Sequence, residues 1–326
     1  MRTRRVKVFR TASWAIGVVV IAPTIPARAQ IVQVNQLALV QANQPLVQET
    51  MPSTGGPITT GGPINVGVPS SPNDADLGEQ QILKSSAASQ PFSALLTTPV
   101  FYTSNVALTN TGVVSDIVVA PLAGMFYDSN LTQNLTVHVG AQEQVFYYGT
   151  YTSFDFGSLD CQAGLAYLVP SLHNLMLRAW YDFNRLTNSD QLGNEFFSNH
   201  EIILDAYVPF QFGRAQHLSL GADANLSVGA DHQYPRRNDY AAYATYSVNL
   251  ARAFFIQANG QVVVRDYHQN GRTDVSEILS GSATYQLTNW ASVSAISSFA
   301  HSDSNHSVFS YNVGNLGGTV ELTVKF

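Results

Sequence analysis

Apolar and polar residues alternate over long stretches of the chain from about residue 92 to its end. In the segment HLSLGADANLSVGAD, apolar or small residues occupy every second position from Leu218 to Ala230, and polar residues such as Asp223 and Ser227 lie between them. Successive side chains of a β-strand point to opposite faces, so this period of two predicts a strand with one apolar and one polar face. The segments FFIQANGQVVVRDY and EILSGSATYQL repeat the pattern.

Twelve segments of this kind follow one another. They lie at about 94–108, 115–127, 135–148, 154–168, 174–187, 199–209, 217–231, 239–250, 254–268, 275–287, 290–303 and 309–326. A strand in a globular protein averages about 5–6 residues, whereas a tilted strand that crosses a membrane needs about 9–11. The lengths therefore favour an all-β, antiparallel, up-and-down transmembrane barrel of about 12 strands.

The first two predicted strands have the least secure boundaries, because they contain Pro99 and Pro121. Proline has no N–H to donate to a neighbouring strand. If this hairpin lies outside the wall, the barrel has ten strands. Glu143 also departs from the pattern, since it falls on the otherwise apolar face of its strand. We expect a bulge or a different register there, because an acid that faces hydrocarbon is costly.

The connections between the predicted strands alternate in length. The segments PSLHN, FQFGRAQ, ARA and TN are short, whereas TNSDQLGNEFFS, HQYPRRN, QNGRTD and SDSNHS are longer and more polar. Short periplasmic turns and longer external loops are typical of bacterial outer-membrane barrels. Hydrocarbon offers no hydrogen-bond partner to the backbone, so such a sheet must close on itself.

The N-terminus predicts export. Five basic residues in MRTRRVKVFR precede a short apolar stretch, and Ala27 and Ala29 have the spacing of an A-x-A cleavage site. Residues 1–29 are thus predicted to be a secretory signal peptide. Its removal takes away six Lys or Arg and no acid, which leaves 10 basic and 22 acidic side chains. Residues 30–91 are rich in Gln, Pro, Gly and Ser and lack a sustained period, so we interpret them as a flexible periplasmic linker, with a plug or binding tail as the alternative.

Composition narrows the protein class. Charged residues make up 12% of the chain and the mean hydropathy is +0.01, which is too low for a bundle of membrane helices. A soluble β-sandwich remains an alternative. The single cysteine, Cys161, excludes an intrachain disulfide. Residues 92–326 are therefore predicted to be a barrel domain with two differently solvated faces.

The signal peptide, the alternating strands and the terminal segment GGTVELTVKF resemble Gram-negative outer-membrane β-barrel proteins. In the last strand, Val320, Leu322, Val324 and Phe326 share the apolar face. The resemblance implies location in the outer membrane, contact with its lipid and lipopolysaccharide, and recognition of Phe326 by the barrel-assembly machinery. Aromatic girdles are expected at both membrane interfaces. The outer girdle would hold Tyr147, Tyr148, Tyr240 and Tyr267, and the inner one Phe210, Phe254, Trp290 and Phe326.

Charged residues on the polar face are the candidates for a site in the lumen. The alternation places seven of them there: Arg178, Asp182, Glu201, Asp205, Asp223, Arg265 and Glu321. Arg178 is expected to pair with Glu201 or Asp205 on the neighbouring strand. These charges either satisfy one another inside a narrow barrel or form a constriction that selects ions and small solutes. The excess of acids would favour cations in an open pore.

The sequence gives little support for catalysis, metal binding or nucleotide binding. Histidine and serine are available, but no G-x-S-x-G elbow occurs, so an outer-membrane lipid hydrolase is only an alternative. His301, His306 and Asp303 lack the close spacing of metal ligands. No phosphate-binding or dinucleotide-binding motif occurs, and no cofactor or nucleic acid is expected. Arg236 and Arg237 are predicted to lie in an external loop, near lipopolysaccharide.

The sequence therefore predicts a porin-like channel for passive diffusion of small hydrophilic solutes or ions, and not an enzyme. The first alternative is a closed structural barrel that acts through its external loops. A barrel of twelve strands lies between the filled eight-stranded and the open sixteen-stranded types, so size alone does not decide between them.

Overall fold

A computed structural model describes residues 90–188 and 194–326 of the chain. The predicted signal peptide and nearly all of the predicted linker lie outside these residues. Among the residues that are described, no helix is long and apolar enough to cross a membrane. The strands are β1 (Phe92–Thr103), β2 (Asp116–Val119), β3 (Leu122–Asn130), β4 (Leu135–Tyr148), β5 (Phe156–Val169), β6 (Leu175–Asn188), β7 (Glu195–Phe212), β8 (Gln216–Asp231), β9 (Arg237–Ala251), β10 (Phe254–Tyr267), β11 (Thr273–Gln286), β12 (Ala291–Ser304) and β13 (Tyr311–Lys325).

The strands form one closed antiparallel sheet. From β4 to β13 each strand pairs with the next, and β13 pairs with β1 from Ser93↔Lys325 to Thr103↔Asn315. The backbones of Phe92 and Phe326 exchange two hydrogen bonds, of 3.2 and 3.0 Å, at the end of this seam. A closed sheet leaves no row of unpaired backbone groups, which is the condition for a β-protein in hydrocarbon. The all-β barrel prediction is confirmed, and the soluble sandwich is wrong.

β2 and β3 occupy a single position in the wall. Both pair with β1 in the same register, since Val100 lies opposite Val119 and Leu96 lies opposite Ala123. The break between them falls at Pro121, which cannot donate a ladder hydrogen bond. Its carbonyl still accepts a hydrogen bond of 3.0 Å from the N–H of Val145. The wall therefore has twelve strands, as predicted, and the ten-strand alternative is wrong.

The observed strand boundaries agree closely with those predicted from the alternation, except in β1 and β7. β1 ends at Thr103, although the pattern predicted a strand as far as residue 108, and β7 is several residues longer at both ends than predicted. The turns at the end of the barrel where β1 begins and β13 ends are short, as in outer-membrane barrels, where such turns lie in the periplasm. The longest connection at the opposite, extracellular end is 104–115, which we name loop 1.

The two faces of the wall have opposite polarity. Buried polar side chains line the inner face and bond across neighbouring strands, as in the hydroxyl pair Thr97–Thr319 at 2.7 Å. The outer face carries large apolar side chains that remain exposed, among them Leu96, Val100, Ile117, Met125, Val139, Leu165, Leu177, Ile202, Leu204, Leu220, Val262, Leu279, Phe299, Leu316, Val320, Leu322 and Val324. A polar interior within an apolar outer band is the arrangement of a barrel surrounded by lipid.

The predicted aromatic girdles are partly wrong. Tyr147 and Tyr240 are exposed on the outer face at the extracellular end, but Tyr148 and Tyr267 are buried inside the barrel. The period of two explains the first correction, because Tyr147 and Tyr148 are neighbours and must point to opposite faces. At the periplasmic end, Phe210 and Phe326 are exposed on the outer face, and Phe254 is half-buried. Trp290 instead lines a cavity at the mouth of the barrel.

Glu143 lies on the outer face without a bulge, so both explanations given for it above are wrong. β4 pairs with β5 in an unbroken register, with Glu143 opposite Leu159. A side chain at Gly157 would place its Cβ 3.2 Å from a carboxylate oxygen of Glu143, so the glycine leaves room for that carboxylate. Arg185 interacts with it electrostatically and also binds Glu195 at 2.8 Å. A neighbouring cation thus offsets the cost of an acid on this face.

Candidate functional site

Loop 1 folds into the lumen from the extracellular end. Leu108, at its tip, is 5% exposed and belongs to one apolar cluster with the inward-facing side chains of Val263, Ile278, Ala300, Tyr311 and Val313. These residues lie on β10 to β13 and point into the barrel. The side chain of Leu108 therefore lies inside the lumen and covers that part of the wall.

The base of loop 1 packs against other strands. Val106 is fully buried in a second cluster, which contains the inward-facing residues Phe101, Val118, Phe146, Phe156, Leu186 and Phe197. The buried side chain of Asn105 donates hydrogen bonds to the carbonyl oxygens of Thr109 at 2.8 Å and of Asn312 at 2.9 Å. Loop 1 is thus held from both sides and occupies the extracellular half of the lumen.

The backbone of loop 1 is unusual at its tip. Leu108 has a φ of 46°, in the left-handed region that side chains other than glycine rarely adopt. Outliers of this kind persist where the surrounding packing holds them and are frequent in switch regions and ligand clamps. The apolar contacts of Leu108 inside the barrel supply that packing.

All seven charged residues selected from the sequence lie on the inner face. Arg178 binds Asp205 through Nε at 2.6 Å, and not Glu201. Tyr243 donates its hydroxyl to the second oxygen of Asp205 at 2.7 Å. Both oxygens of this carboxylate are therefore used, and its side chain is 4% exposed.

Three other inward carboxylates have no cationic partner in contact. Asp182, Glu201 and Asp223 are each partly exposed to the lumen. Asp182 lies opposite Glu201 in the register of β6 and β7, and Asp223 lies opposite Asp205 in that of β7 and β8. Within the described part of the chain, neither Asp182 nor Asp223 makes a hydrogen bond or an ion pair, and Glu201 accepts one hydrogen bond, from Asn199. A strip of three carboxylates without an ion-pair contact thus follows β6 to β8.

The next sector of the wall, β9 to β11, carries buried arginines in ion pairs. Arg237 binds Asp239 at 2.8 Å, and the charged group of Arg265 lies 3.6 Å from the same carboxylate. Arg272 binds Asp274, and both side chains are at most 5% exposed. These pairs lie on β9 to β11, beside the cluster that holds Leu108. Three arginines share two carboxylates here, so these residues stabilise the wall and leave one excess positive charge.

Arg237 corrects the sequence interpretation, which placed it in an external loop. β9 begins at Arg237, and the side chain points into the barrel, where its Nη1 donates to the hydroxyl of Tyr267 at 3.1 Å. Arg237, Asp239, Ala241 and Tyr243 share one face by alternation, and this signal could have revealed the residue. The sequence analysis also missed Arg272, because the predicted strand began only at residue 275.

A cavity of about 530 Å³ lies at the periplasmic mouth. Glu321 and Lys325 of β13 line it together with Trp290, Phe255 and Gln90. Glu321 is buried and points inward, as the alternation predicted. A cavity therefore lies at the periplasmic end of the barrel, and loop 1 enters the lumen from the other end.

The histidines show no catalytic arrangement with serine. His138 binds Asp128 at 2.6 Å inside the barrel, and His301 contacts Asn312 at 2.6 Å and Asp303 at 3.2 Å near the extracellular end. Across residues 90–188 and 194–326, no serine hydroxyl is hydrogen-bonded to a histidine ring. In the same residues, no group of three or more His, Cys, Asp or Glu side chains is placed to hold a metal ion.

Comparison with solved structures identifies similar barrels. The COG4313 outer membrane channel of Pseudomonas putida F1 aligns with a TM-score of 0.52 at 10% identity, over 72% of this chain and 96% of that one. The translocator domain of the autotransporter NalP of Neisseria meningitidis has a TM-score of 0.41 at 13% identity, over 72% and 88%. LpxR of Salmonella typhimurium has a TM-score of 0.40 at 8% identity, over 71% and 99%.

These similarities concern the fold, because the identities are too low to carry function. No protein-family model matches the sequence, and no curated protein matches it. The closed antiparallel wall agrees with the fold of the COG4313 outer membrane channel. The chain has the fold of an outer-membrane β-barrel protein.

Proposed function

We propose that this protein is an outer-membrane channel for passive diffusion of small hydrophilic solutes and ions, with a preference for cations. The strip formed by Asp182, Glu201 and Asp223 carries the proposal. Charges that only fill a barrel are usually paired, because an unpaired buried carboxylate is costly. These three are unpaired and partly exposed to the lumen, which is the arrangement that attracts cations into a pore.

The path would follow β6 to β9. In this sector the inward side chains of Arg178, Asp182, Glu201, Asp223 and Tyr243 retain solvent exposure. Arg265, Ser276 and Ser302, on β10 to β12, are at most 3% exposed. The tip of loop 1 covers β10 to β13. Solutes would therefore enter between loop 1 and the acidic strip, and the width of the pore there would depend on loop 1.

Neutralising the acidic strip should reduce the preference for cations. We expect the Glu201→Gln and Asp223→Asn double variant to lower the permeability ratio of potassium to chloride by about threefold or more, because it removes two of the three carboxylate charges of the strip. The measurement is the reversal potential of single channels in a planar bilayer under a salt gradient.

Glu277→Gln is the matched control for this experiment. Glu277 is exposed on the outer face of β11, so its loss changes the net charge of the protein but not the charge of the lumen. The control should keep the reversal potential of the wild type. Equal shifts in the control and in the double variant would contradict the assignment of the strip to the pore.

A closed barrel that acts through its external loops is the second candidate. The observation that favours it is the depth of loop 1, which fills the extracellular half of the lumen with apolar side chains. Correctly folded protein that never conducts, even after loop 1 is shortened, would support this candidate over the channel.

The proposal assigns no catalytic activity to the barrel, and a lipid hydrolase is the remaining alternative.

Phe326 is proposed to serve in assembly, because it lies exposed at the periplasmic end of the closing seam, where its ring stacks on Phe92 with the centroids 6.0 Å apart. Contact of the outer face with lipid and lipopolysaccharide is part of the same proposal.

A further inference from the structure

The side chain of Arg178 is held by two aromatic rings and one carboxylate. Its guanidinium carbon lies 5.0 Å from the ring centroid of Trp180 and 4.9 Å from that of Tyr207, and its Nε donates to Asp205. Stacking on aromatic rings and a charged hydrogen bond fix the plane of a guanidinium. The flexible side chain is thus ordered before any solute arrives, which lowers the entropic cost of binding.

The carboxylate that binds Arg178 is itself held in place by other residues. Tyr243 holds the other oxygen of Asp205, and Gly221 gives the tyrosine its space, since a Cβ at residue 221 would lie 2.5 Å from the ring of Tyr243. The carboxylate is therefore fixed from two sides. Its position in turn fixes the guanidinium that it binds.

The terminal nitrogens of Arg178 remain available. Within the residues that the structure describes, its only hydrogen bond is the one from Nε, and its side chain is 30% exposed. The two terminal nitrogens of a guanidinium bind a carboxylate through parallel hydrogen bonds. Arg178 thus presents a preorganised site for a carboxylate in the lumen.

Asp223 supplies the opposite charge nearby. Arg178, Asp205 and Asp223 occupy one row of β6, β7 and β8, so the backbones of the first and the last are about 10 Å apart. Arg178 interacts electrostatically with Asp223. The carboxylate of Asp223 is partly exposed and makes no hydrogen bond or ion pair among the described residues.

We propose that this site binds small zwitterionic solutes of the α-amino acid type, with the solute carboxylate on Arg178 and the solute ammonium on Asp223. The inference rests on the proposed channel and names a substrate class for it. A site that attracts only cations has no use for an exposed, clamped guanidinium among its carboxylates. A site that attracts only anions would not place an unpaired carboxylate beside that guanidinium.

The test compares three solutes of similar size by calorimetric titration of the full chain in detergent micelles. L-alanine carries both charges, propionate lacks the ammonium, and ethylammonium lacks the carboxylate. We expect alanine to bind about tenfold more tightly than either analogue, because each charged hydrogen bond contributes at this level. Equal binding of the three solutes would overturn the inference.

Two variants locate the site. Arg178→Gln should reduce alanine binding about tenfold, to the level of ethylammonium, and Asp223→Asn should reduce it to the level of propionate. Asp223 has no partner to lose, so the second variant keeps the inference testable if the first does not fold. Alanine binding unchanged in Asp223→Asn would also overturn the inference.

Failure of this inference can be distinguished from failure of the channel. Single-channel conductance of the same preparation tests the channel alone. Conductance without preferred alanine binding would overturn the zwitterion site and leave the channel in place. Absence of conductance would overturn the channel, and with it the role of the site in transport.

Discussion

Releasing loop 1 from the lumen should open the channel more often. We expect Leu108→Asp to raise the open probability by about tenfold or more, because the variant removes the apolar anchor and places a charge in the cluster of Val263 and Ile278. Loss of a buried leucine side chain costs about 2–5 kcal/mol, and each 1.4 kcal/mol changes the ratio of two states about tenfold. Single-channel recording in a planar bilayer measures the open fraction directly.

Val113→Asp is the matched control for this variant. Val113 lies in the same loop and its side chain is 53% exposed, so an aspartate there meets water and not the cluster. The control should gate like the wild type. A deletion of residues 106–113 should leave the channel open throughout. An unchanged open fraction in both Leu108→Asp and the deletion would show that loop 1 does not control the pore.

The closed barrel should become less stable when a side chain is added at Gly317. This residue lies opposite Phe101 where β13 meets β1, and a Cβ there would lie 2.2 Å from the carbonyl oxygen of Val100 and 2.4 Å from the Cβ of Phe101. Because the obstacle is largely backbone, it cannot move aside as a flexible side chain would. We expect Gly317→Val to lower the free energy of unfolding by about 3 kcal/mol or more.

Gly260→Val serves as the control at a glycine on the outer face. The nearest atom to a Cβ there is a methyl group of Leu279 at 4.0 Å, so the added side chain meets open space. The control should unfold within about 0.5 kcal/mol of the wild type, as surface substitutions usually do. Urea titration followed by the heat-dependent gel shift of folded barrels compares the two. Equal stability of both variants would contradict the close approach of β13 and β1 at Gly317.

The sequence predicts the wall because one physical rule controls it. Lipid outside and polar groups inside impose a period of two on every strand, and β4 has the same bounds, residues 135–148, in the prediction and in the structure. Proline position was informative as well, since Pro121 interrupts the second wall position. Long-range pairing, such as Gly317 with Phe101, follows from closure and cannot be derived from local pattern.

The interior was less predictable than the wall. Alternation places Arg178 and Asp205 inside but cannot decide whether Arg178 pairs with Asp205 or Glu201, because both lie on the adjacent strand. Loop 1 was missed for a different reason. Residues 104–108 continue the strand-like alternation of β1, and the inward fold depends on contacts of Leu108 with strands far away in the chain.

The most direct test of the channel asks whether the acidic strip lines the ion path. Cysteine is placed at residue 223 or at its neighbour 222, in a Cys161→Ser background, and a charged thiol reagent is added during single-channel recording. Asp223 faces the lumen, whereas Ala222 is exposed on the outer face. The account predicts that the reagent reduces the current of Asp223→Cys and leaves that of Ala222→Cys unchanged. Currents that are equally insensitive in both variants, or no current in any of them, would contradict it.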